Sequence, residues 1–195
     1  MQTIVWDVDD VLNNLMEAWL EEAWKRAHPR CRVSFSEIRA NPPHRVLGIA
    51  EAEYLTSLDE FRQSAAARRL QPNRAILDWF QVYGDCFRHV ALTARPLGCT
   101  PHAADWLFRH FGRYIRCFGV VPSRPDSQAP LYDRHKGDFL AWLGVADFFV
   151  DDSPGNIRSV AALGIETVLY PQPWNRSTQT VDEVLNALTG KVVVS

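Results

Sequence analysis

Two aspartates, Asp7 and Asp9, directly follow a short apolar stretch near the start of the chain. The stretch at residues 4–6 is rich in strand-forming residues and predicts a buried strand. Because side chains alternate with period two along a strand, aspartates two residues apart point to the same side. Two carboxylates held this close repel each other unless a cation lies between them or one is protonated. The pair therefore indicates acid–base or metal-assisted chemistry.

A structural role is the alternative for these acidic residues. Asp10 fits the cap of a helix that is predicted to begin just after it. Asp7 alone could equally belong to an ordinary turn between a strand and a loop. The complete pattern, an apolar run followed by Asp-x-Asp-x-Val, favours a chemical role for Asp7 and Asp9.

Two later strand ends also carry polar side chains. Thr93 follows the second predicted strand, and its hydroxyl and the N–H groups of the next turn, beginning at Ala94, could hold an oxyanion. A threonine that simply closes a strand is also common. Asp151 and Asp152 follow the fourth predicted strand, directly before a predicted helix. Adjacent strand residues point to opposite sides, so we expect different roles for these two aspartates.

From residue 74 onwards, the pattern alternates between helices and strands with short connections. Helices are predicted over 74–83, 101–111, 135–143, 154–163 and 181–188, and strands over 87–92, 115–121, 147–150 and 167–170. This alternation predicts an α/β fold, a doubly wound parallel sheet covered on both faces. Ligands of such sheets bind at the carboxyl ends of the strands, where the polar residues above are expected.

The stretch between the first strand and this alternating part differs in texture. Residues 13–71 read as helices interrupted by Asn41-Pro42-Pro43, with no convincing strand. We therefore predict an α/β core domain formed by residues 1–12 and 72–195. A small helical domain at 13–71, the insert, is predicted to follow the first strand.

The composition narrows the class of protein. The formal net charge is -2 and 47% of the residues are hydrophobic. Proteins that bind nucleic acid polymers usually present a basic surface, and this composition does not indicate one. No apolar stretch approaches the roughly 20 residues that span a bilayer, and no signal peptide is visible. We predict a cytoplasmic protein without membrane contact; the oligomeric state stays open.

The cysteines and histidines do not form a metal-binding pattern. Four cysteines are widely spaced without a Cys-x-x-Cys pair, which favours reduced thiols over a zinc site. His89 falls inside a predicted strand and is interpreted as a packed histidine rather than a ligand.

Taken in order, Asp7-x-Asp9, Thr93, Lys136 and Asp151-Asp152 resemble the four motifs of the haloacid dehalogenase superfamily, the aspartate-nucleophile phosphatases. The first and last motifs are the specific ones. Lys136 lies at a predicted helix start, where most lysines are solvated. Its assignment to a motif depends on its place in the order of the four motifs. The resemblance covers the whole chain, and the insert lies where this family places a helical cap.

Two stretches, 92–96 and 170–175, further resemble the 5'-deoxyribonucleotidase-like branch of that superfamily.

The resemblance implies roles and a cofactor. Asp7 would be the nucleophile that forms an aspartyl-phosphate, and Asp9 the general acid and then the general base. Lys136 would neutralise charge on the phosphoryl group, whose oxygens Thr93 and Ala94 would hold. Mg²⁺ would be bound by Asp7, by the backbone carbonyl of Asp9 and directly by Asp152, with Asp151 acting through water.

The electrostatics of such a site also favour a cation. A dianionic phosphate beside three carboxylates is strongly repelled, at about 4 kcal/mol per pair of unit charges 4 Å apart at an effective dielectric of 20. A hard divalent cation together with Lys136 could reverse this balance, and oxygen ligands suit Mg²⁺.

Several functions remain compatible with these motifs. The favoured one is a Mg²⁺-dependent phosphomonoester hydrolase acting on a small phosphorylated metabolite, such as a nucleotide or a sugar phosphate. A phosphomutase or other phosphotransferase would use the same residues. A non-enzymatic receiver-like phospho-acceptor module is a third possibility, although receiver domains carry their acidic pair on the first strand. A binding protein that has lost turnover is a fourth.

The substrate is not readable from the sequence. Arg39, His44 and Arg45 of the insert could meet an anionic or hydroxylated substrate, or they could be solvated. Trp19, Trp24 and Tyr54 could stack on a base, but their helical spacing is more typical of a core.

Overall fold

The computed structural model describes residues 1–125 and 129–191. Its centre is a five-stranded sheet in the order β3-β2-β1-β4-β5, and every pair of neighbouring strands is parallel. The strands are β1 (Thr3–Trp6), β2 (Arg88–Ala94), β3 (Ile115–Val121), β4 (Phe148–Asp151) and β5 (Glu166–Leu169). The predicted α/β fold with a parallel sheet is confirmed.

Helices connect the strands and cover both faces of the sheet. Within the core they are α6 (Arg74–Tyr83), α7 (Thr100–Phe111), α8 (Lys136–Leu143), α9 (Pro154–Ala161) and α10 (Val181–Thr189). One face carries the aromatic side chains of Trp6, Trp79 and Phe80, and the other carries Val5 and Phe149. The alternation of Val5 and Trp6 between the two faces follows from the period of two along β1.

The position of β1 determines where the site residues meet. Trp6, the last residue of β1, pairs with Ala91 of β2 on one side and with Val150 of β4 on the other. The residues that follow these three strands are therefore neighbours in space. The sheet order also differs from the 2-1-3-4-5 order of receiver-type, flavodoxin-like sheets, which disfavours the receiver-like alternative.

The insert is helical and has its own hydrophobic cluster. It begins with three helical segments that follow one another without a break: α1 (Leu15–Trp19), a π-helical turn at Leu20–Trp24 and α2 (Lys25–Ala27). The remaining helices are a 3₁₀ turn at Phe35–Glu37, α3 (His44–Leu47), α4 (Glu51–Gln63) and α5 (Ala65–Arg68). Trp19, Trp24 and Tyr54 are buried together there, as their helical spacing suggested, and Leu58 belongs to the same cluster.

The two ends of the insert lie side by side. Asn13 and Pro72 form an isolated antiparallel bridge, and the N–H of Asn73 donates to the carbonyl of Leu12 at 2.8 Å. The sequence boundaries drawn at residues 12 and 72 fall at this bridge. The division into two domains remains a prediction.

A few boundaries differ from the sequence-based expectation. The predicted strand at 147–150 lies one residue later, at Phe148–Asp151, and the predicted strand at 87–92 lies at Arg88–Ala94. Thr93 and Asp151 are therefore inside strands, not after them as predicted. The loop predicted over 122–130 includes residues 126–128, which lie outside the described part of the chain. Within the described residues, no helix combines the length and the hydropathy that a membrane span requires. The four cysteines are free thiols.

Candidate active site

Asp7 stands at the carboxyl end of β1, in the middle of the sheet. Its N–H donates to the carbonyl of Val150 in β4 at 2.8 Å, which continues the sheet pairing through this residue. Its carboxylate accepts a hydrogen bond from the N–H of Val8 at 2.7 Å. The side chain is buried. Asp7 is thus fixed by the sheet itself.

Lys136 is brought to Asp7 by the first turn of α8. Its side chain is 1% exposed, and its Nζ lies 2.6 Å from Asp7 Oδ1 and 2.7 Å from Asp151 Oδ2. A reciprocal pair of hydrogen bonds between His135 and Asp138 caps this helix start. Gly137 lets it approach α9 closely, because a Cβ there would lie 3.1 Å from the carbonyl oxygen of Ser159. Lys136 is therefore a buried site residue and not a solvated lysine.

Asp151 and Asp152 are held in different ways, as their adjacent positions suggested. Asp151 accepts hydrogen bonds from the N–H of Ser153 at 2.8 Å and from Asn156 Nδ2 at 3.1 Å, besides the ion pair with Lys136. Asp152 accepts a hydrogen bond from the indole Nε1 of Trp174 at 2.7 Å. Donors thus surround Asp151 more completely than Asp152.

The carboxylates of Asp7, Asp151 and Asp152 converge on one point. Each offers an oxygen, and these oxygens lie within 4.8 Å of one another. Burial raises the pKa of Asp7 to about 7, helped by the charges of Asp151 and Asp9 and opposed by Lys136. Burial and the charges of Asp151 and Asp7 also raise the pKa of Asp152 well above its usual range. The cluster is short of positive charge.

The donor set of this cluster fits a hard divalent cation. In the described part of the chain, the cluster offers three carboxylate oxygens and no cysteine or histidine, a set that suits Mg²⁺ rather than zinc. Among the described residues, Lys136 supplies the one positive charge in contact with the cluster. Its pKa is raised by Asp151 and Asp7 even though burial acts in the opposite direction. Such a lysine stays protonated. When all three carboxylates are ionised, they exceed this one positive charge by two, which a divalent ion would neutralise.

Thr93 presents an unused hydroxyl to the same space. The residue is fully buried, and its Oγ1 has no hydrogen-bond partner among the described residues. Thr93 and Ala94 line the same cavity as Asp7 and Lys136. A buried hydroxyl without a partner is costly, at about 1–3 kcal/mol, and this cost is removed when a ligand oxygen binds there.

Asp9 is held by two arginines that the sequence analysis did not identify. Arg95 Nη2 donates to Asp9 Oδ1, and Arg62 Nη2 donates to Asp9 Oδ2 at 3.1 Å. Burial would raise the pKa of Asp9, but the charges of Arg95 and Arg62 outweigh it and lower that pKa. Arg95 belongs to the stretch at 92–96 quoted for the family resemblance, whereas nothing in the sequence of α4 distinguished Arg62 from a solvated arginine.

Asp10 has a structural role at the start of the insert. Its backbone has a φ of 62°, and its carboxylate accepts a hydrogen bond from the N–H of Met16 at 2.8 Å, in the first turn of α1. Asp10 is not the N-cap residue of this helix, a position that Asn14 holds, but its carboxylate bonds the first turn of α1 from six residues earlier in the chain. Gln172 Nε2 donates to the carbonyl of Asp10 at 2.6 Å and ties this turn to the C-terminal part of the chain.

The segment at 170–175 holds Asp152 in place through hydrogen bonds. Besides the Trp174–Asp152 hydrogen bond, Asn175 Nδ2 donates to the carbonyl of Asp152 at 2.8 Å and to that of Tyr170 at 2.6 Å. The ring of Trp174 meets Phe35 of the insert edge to face. This segment therefore joins the last acidic motif to the insert.

A cavity of about 350 Å³ opens above these residues, between the core and the insert. The insert contributes Asn41, Glu51, Tyr54 and Arg62 to its wall. Three residues proposed from the sequence as substrate contacts, Arg39, His44 and Arg45, do not line it. Trp19 and Trp24 belong to the hydrophobic cluster of the insert, while Tyr54 serves both the cluster and the cavity wall.

Comparison with known proteins identifies the fold. No protein-family model matches the chain, and a search of curated proteins finds no match. Solved structures do match over nearly the full length. One is a haloacid dehalogenase-like hydrolase family protein from Streptococcus pneumoniae, with a TM-score of 0.63 and 14% identity, covering 95% of this chain and 90% of that one.

Two other matches carry different activities in their names. The protein tyrosine kinase A of Mycobacterium tuberculosis has a TM-score of 0.62 and 17% identity, with 96% of this chain and 97% of that one covered. A candidate β-phosphoglucomutase from Thermotoga maritima has a TM-score of 0.57 and 14% identity, with 98% and 100% covered. The chain shares the fold of these solved structures, among them a haloacid dehalogenase-like hydrolase. The fold alone does not determine the reaction.

Proposed function

We propose that this protein is a Mg²⁺-dependent phosphomonoester hydrolase that acts through an aspartyl-phosphate on Asp7. The observation that carries the proposal is one cavity containing a buried carboxylate, Asp7, an ion-paired lysine 2.6 Å away, Lys136, and the unpartnered hydroxyl of Thr93. Nucleophile, positive charge and oxyanion donor are the three parts that phosphoryl transfer requires.

In the first step, a carboxylate oxygen of Asp7 attacks phosphorus, and the bond between phosphorus and the leaving oxygen breaks. Thr93 and the N–H of Ala94 would hold phosphoryl oxygens, and Lys136 would compensate their charge. A carboxyl with a pKa of about 7 is partly protonated at neutral pH and is then not a nucleophile. Asp7, Asp151 and Asp152 would hold a cation, which would favour the ionised form of Asp7.

Asp9 would move the proton in both steps. It would donate a proton to the leaving alkoxide, and it would then take one from the water that attacks the aspartyl-phosphate. That attack forms the bond between the water oxygen and phosphorus and releases Asp7. The arginine pairing of Asp9 favours its ionised form, which is the form that accepts a proton from water.

The cavity supports a small substrate. A volume of about 350 Å³ lies at the lower end of the range for small-molecule sites, and both the insert and the core form its walls. We infer that the insert acts as a cap that sets specificity and excludes water. A small phosphomonoester, rather than a nucleic acid polymer, is the substrate that this enclosure suits.

A panel of nucleotides, sugar phosphates and small phosphorylated acids, assayed for phosphate release with Mg²⁺ and again with EDTA, tests the proposal. We expect hydrolysis with Mg²⁺ and its loss in EDTA. Full activity in EDTA on metal-free protein would contradict the role of the cation. Transfer of the phosphoryl group to a second substrate hydroxyl, with little free phosphate, would identify a phosphotransferase instead.

A further inference from the structure

Arg62 reaches from the insert into the catalytic centre of the core. It lies on α4, its side chain is 11% exposed, and its Nη2 donates to Asp9 Oδ2 at 3.1 Å. Its Nη1 donates to Asp59 Oδ1 at 3.1 Å, one turn earlier on the same helix. The other oxygen of Asp59 accepts a hydrogen bond from Arg124, which belongs to the core. A chain of alternating charges thus crosses from the core to the insert and back.

The hydrogen bond from Arg62 engages Asp9, the residue that transfers the proton in the proposed reaction. With Arg95 on Oδ1 and Arg62 on Oδ2, both carboxylate oxygens of Asp9 already carry a guanidinium. A leaving oxygen must come within hydrogen-bond reach of one of them to receive a proton. Arg95 is part of the core and follows β2, whereas Arg62 is on the insert. Arg62 is therefore the partner that a movement of side chain or insert can withdraw.

Arg62 also has a donor to spare. Its Nε is buried and has no hydrogen-bond partner among the described residues. The residue lines the same cavity as Asp7, Thr93 and Lys136. An unused Nε–H beside a carboxylate-bound Nη2–H is the edge of a guanidinium that binds two oxygens of a phosphate or carboxylate in parallel.

We propose that Arg62 is a substrate-binding residue supplied by the insert and that Asp9 is its resting partner in the empty site. When a phosphomonoester binds, the guanidinium passes from Asp9 Oδ2 to an anionic oxygen of the phosphoryl group. One charge-assisted hydrogen bond replaces another, so Arg62 is never left unpaired in a buried place. The exchange frees Oδ2 of Asp9 for the leaving oxygen. This inference rests on the proposed function of the site.

Inorganic phosphate, titrated calorimetrically into the protein with Mg²⁺ present, tests the proposal without turnover. Removing a charge-assisted hydrogen bond in Arg62→Gln should weaken phosphate binding about ten- to a hundredfold. Arg62→Lys should lie between this variant and the wild type, because an ammonium keeps the charge but loses the paired geometry. In hydrolysis assays, Arg62→Gln should raise KM and also lower kcat.

Two variants provide matched controls. Arg124→Gln removes the same charge from the cavity wall and breaks an ion pair between insert and core, but it leaves Asp9 and Arg62 in contact. We expect at most about a threefold loss of phosphate affinity, because this arginine is partly exposed and screened. Arg113→Gln removes an exposed arginine that pairs with Asp85, outside the residues that line the cavity, and should bind phosphate like the wild type.

The outcomes separate the two levels of the proposal. If Arg62→Gln binds phosphate as tightly as the wild type, or if Arg124→Gln loses as much affinity, Arg62 does not bind substrate. If a melting curve shows that Arg62→Gln is unfolded, Arg62→Lys takes its place in the test. Phosphate affinity equal to that of the wild type in Arg62→Lys would then show that Arg62 does not bind substrate. If the wild type neither binds phosphate nor hydrolyses any phosphomonoester, the proposed function itself fails.

Discussion

Asp7 and Asp9 are two residues apart, but they lie in two differently built halves of the site. The inner half contains Asp7, Thr93, Lys136, Asp151 and Asp152. It comes entirely from the core, and its carboxylates outnumber its lysine. The outer half, Asp9, Arg95 and Arg62, joins the core to the insert, and arginines outnumber the carboxylate. Burial, together with the charges of Asp151 and Asp9, raises the pKa of Asp7 in spite of Lys136. Burial acts in the same direction on Asp9, but there the two arginines outweigh it and lower the pKa.

These directions are opposite to those that the proposed reaction needs from a nucleophile and a general acid. A nucleophilic carboxylate should be ionised, and a general acid should hold a proton. A cation in the inner half would lower the pKa of Asp7, and withdrawal of Arg62 from the outer half would raise that of Asp9. The difference between the halves therefore describes a site at rest, which cation and substrate together would convert into an active one.

Asp7→Asn tests the inner half with the largest expected effect. An amide is a poor nucleophile, so we expect hydrolysis of every substrate to be abolished. Single-turnover hydrolysis in ¹⁸O-water, followed by mass spectrometry of the peptide that contains Asp7, should place label on its carboxylate in the wild type. Unlabelled peptide, together with an active Asp7→Asn variant, would mean that water attacks the phosphoryl group directly.

Asp9→Asn tests the outer half and should discriminate between leaving groups. The amide keeps the shape of the side chain but cannot transfer the proton, so alkyl phosphates should lose about 10²–10⁴-fold in rate. An aryl phosphate with a good leaving group should lose less in its first step, and phosphorylated Asp7 should accumulate. Rapid-quench mass spectrometry measures that adduct. Equal losses on both substrates would remove Asp9 from the proton transfer.

Lys136→Met sharpens the charge balance of the inner half. It removes a cation that contacts both Asp7 and Asp151 and leaves these two buried carboxylates without it. We expect turnover to fall by about 10²–10³-fold and unfolding to become easier by about 3–5 kcal/mol. Lys25→Ala, which breaks an exposed ion pair with Glu21, is the control and should change neither quantity appreciably.

Asp151→Asn and Asp152→Asn compare two neighbours within the inner half. The carboxylate of Asp151 already accepts hydrogen bonds from Lys136, Ser153 and Asn156. Among the described residues, the carboxylate of Asp152 accepts one, from the indole N–H of Trp174. We therefore expect Asp152→Asn to weaken Mg²⁺ binding more than Asp151→Asn. Calorimetric titration of the two variants with Mg²⁺ measures the order, and the reverse order would make Asp151 the direct ligand.

His89 is a buried titratable group outside both halves, and we expect its replacement to have the smallest effect on activity. It accepts a hydrogen bond from Trp6 Nε1 on Nδ1, and its Nε2 lies 2.8 Å from the carbonyl of Gly84, so the ring is neutral. Burial lowers its pKa to about 4 from the ordinary value of 6.5. The unfolded chain therefore binds the proton more readily between these values, and acid destabilises the fold.

The contribution of His89 to stability should be complete above pH 6.5 and should be lost as the pH falls towards 4, by up to about 3 kcal/mol. Urea unfolding of the wild type and His89→Gln across this range measures it. The variant should lose this part of the pH dependence, while its kcat at neutral pH stays close to that of the wild type. A pH profile identical to that of the wild type would show that another group is responsible.

The sequence predicted the inner half well and the outer half poorly. Asp7 follows β1, Thr93 is the second-last residue of β2 and Asp151 is the last residue of β4. Strand ends of this kind are visible in a sequence as apolar runs that stop at polar residues. Lys136 required the order of the motifs, because local sequence cannot distinguish a buried lysine at a helix start from a solvated one.

Arg62 could not be found in this way. Its partner Asp9 is 53 residues away in the chain, and only the packing of the insert against the core brings them together. The insert residues that were proposed from their type alone, Arg39, His44 and Arg45, lie elsewhere for the same reason. Residue type indicates what a side chain can bind, whereas the docking of two structural units decides which one reaches the site.

The bridge between Asn13 and Pro72 has a consequence for folding kinetics. β1 pairs with β2, yet the whole insert separates them in the chain. If the insert forms first and brings its ends together, the loop that must close to form the sheet becomes roughly fourfold shorter, which lowers its entropic cost by about 1 kcal/mol. A cavity in the insert, such as Leu58→Ala, should then slow refolding of the sheet itself, as stopped-flow fluorescence would show.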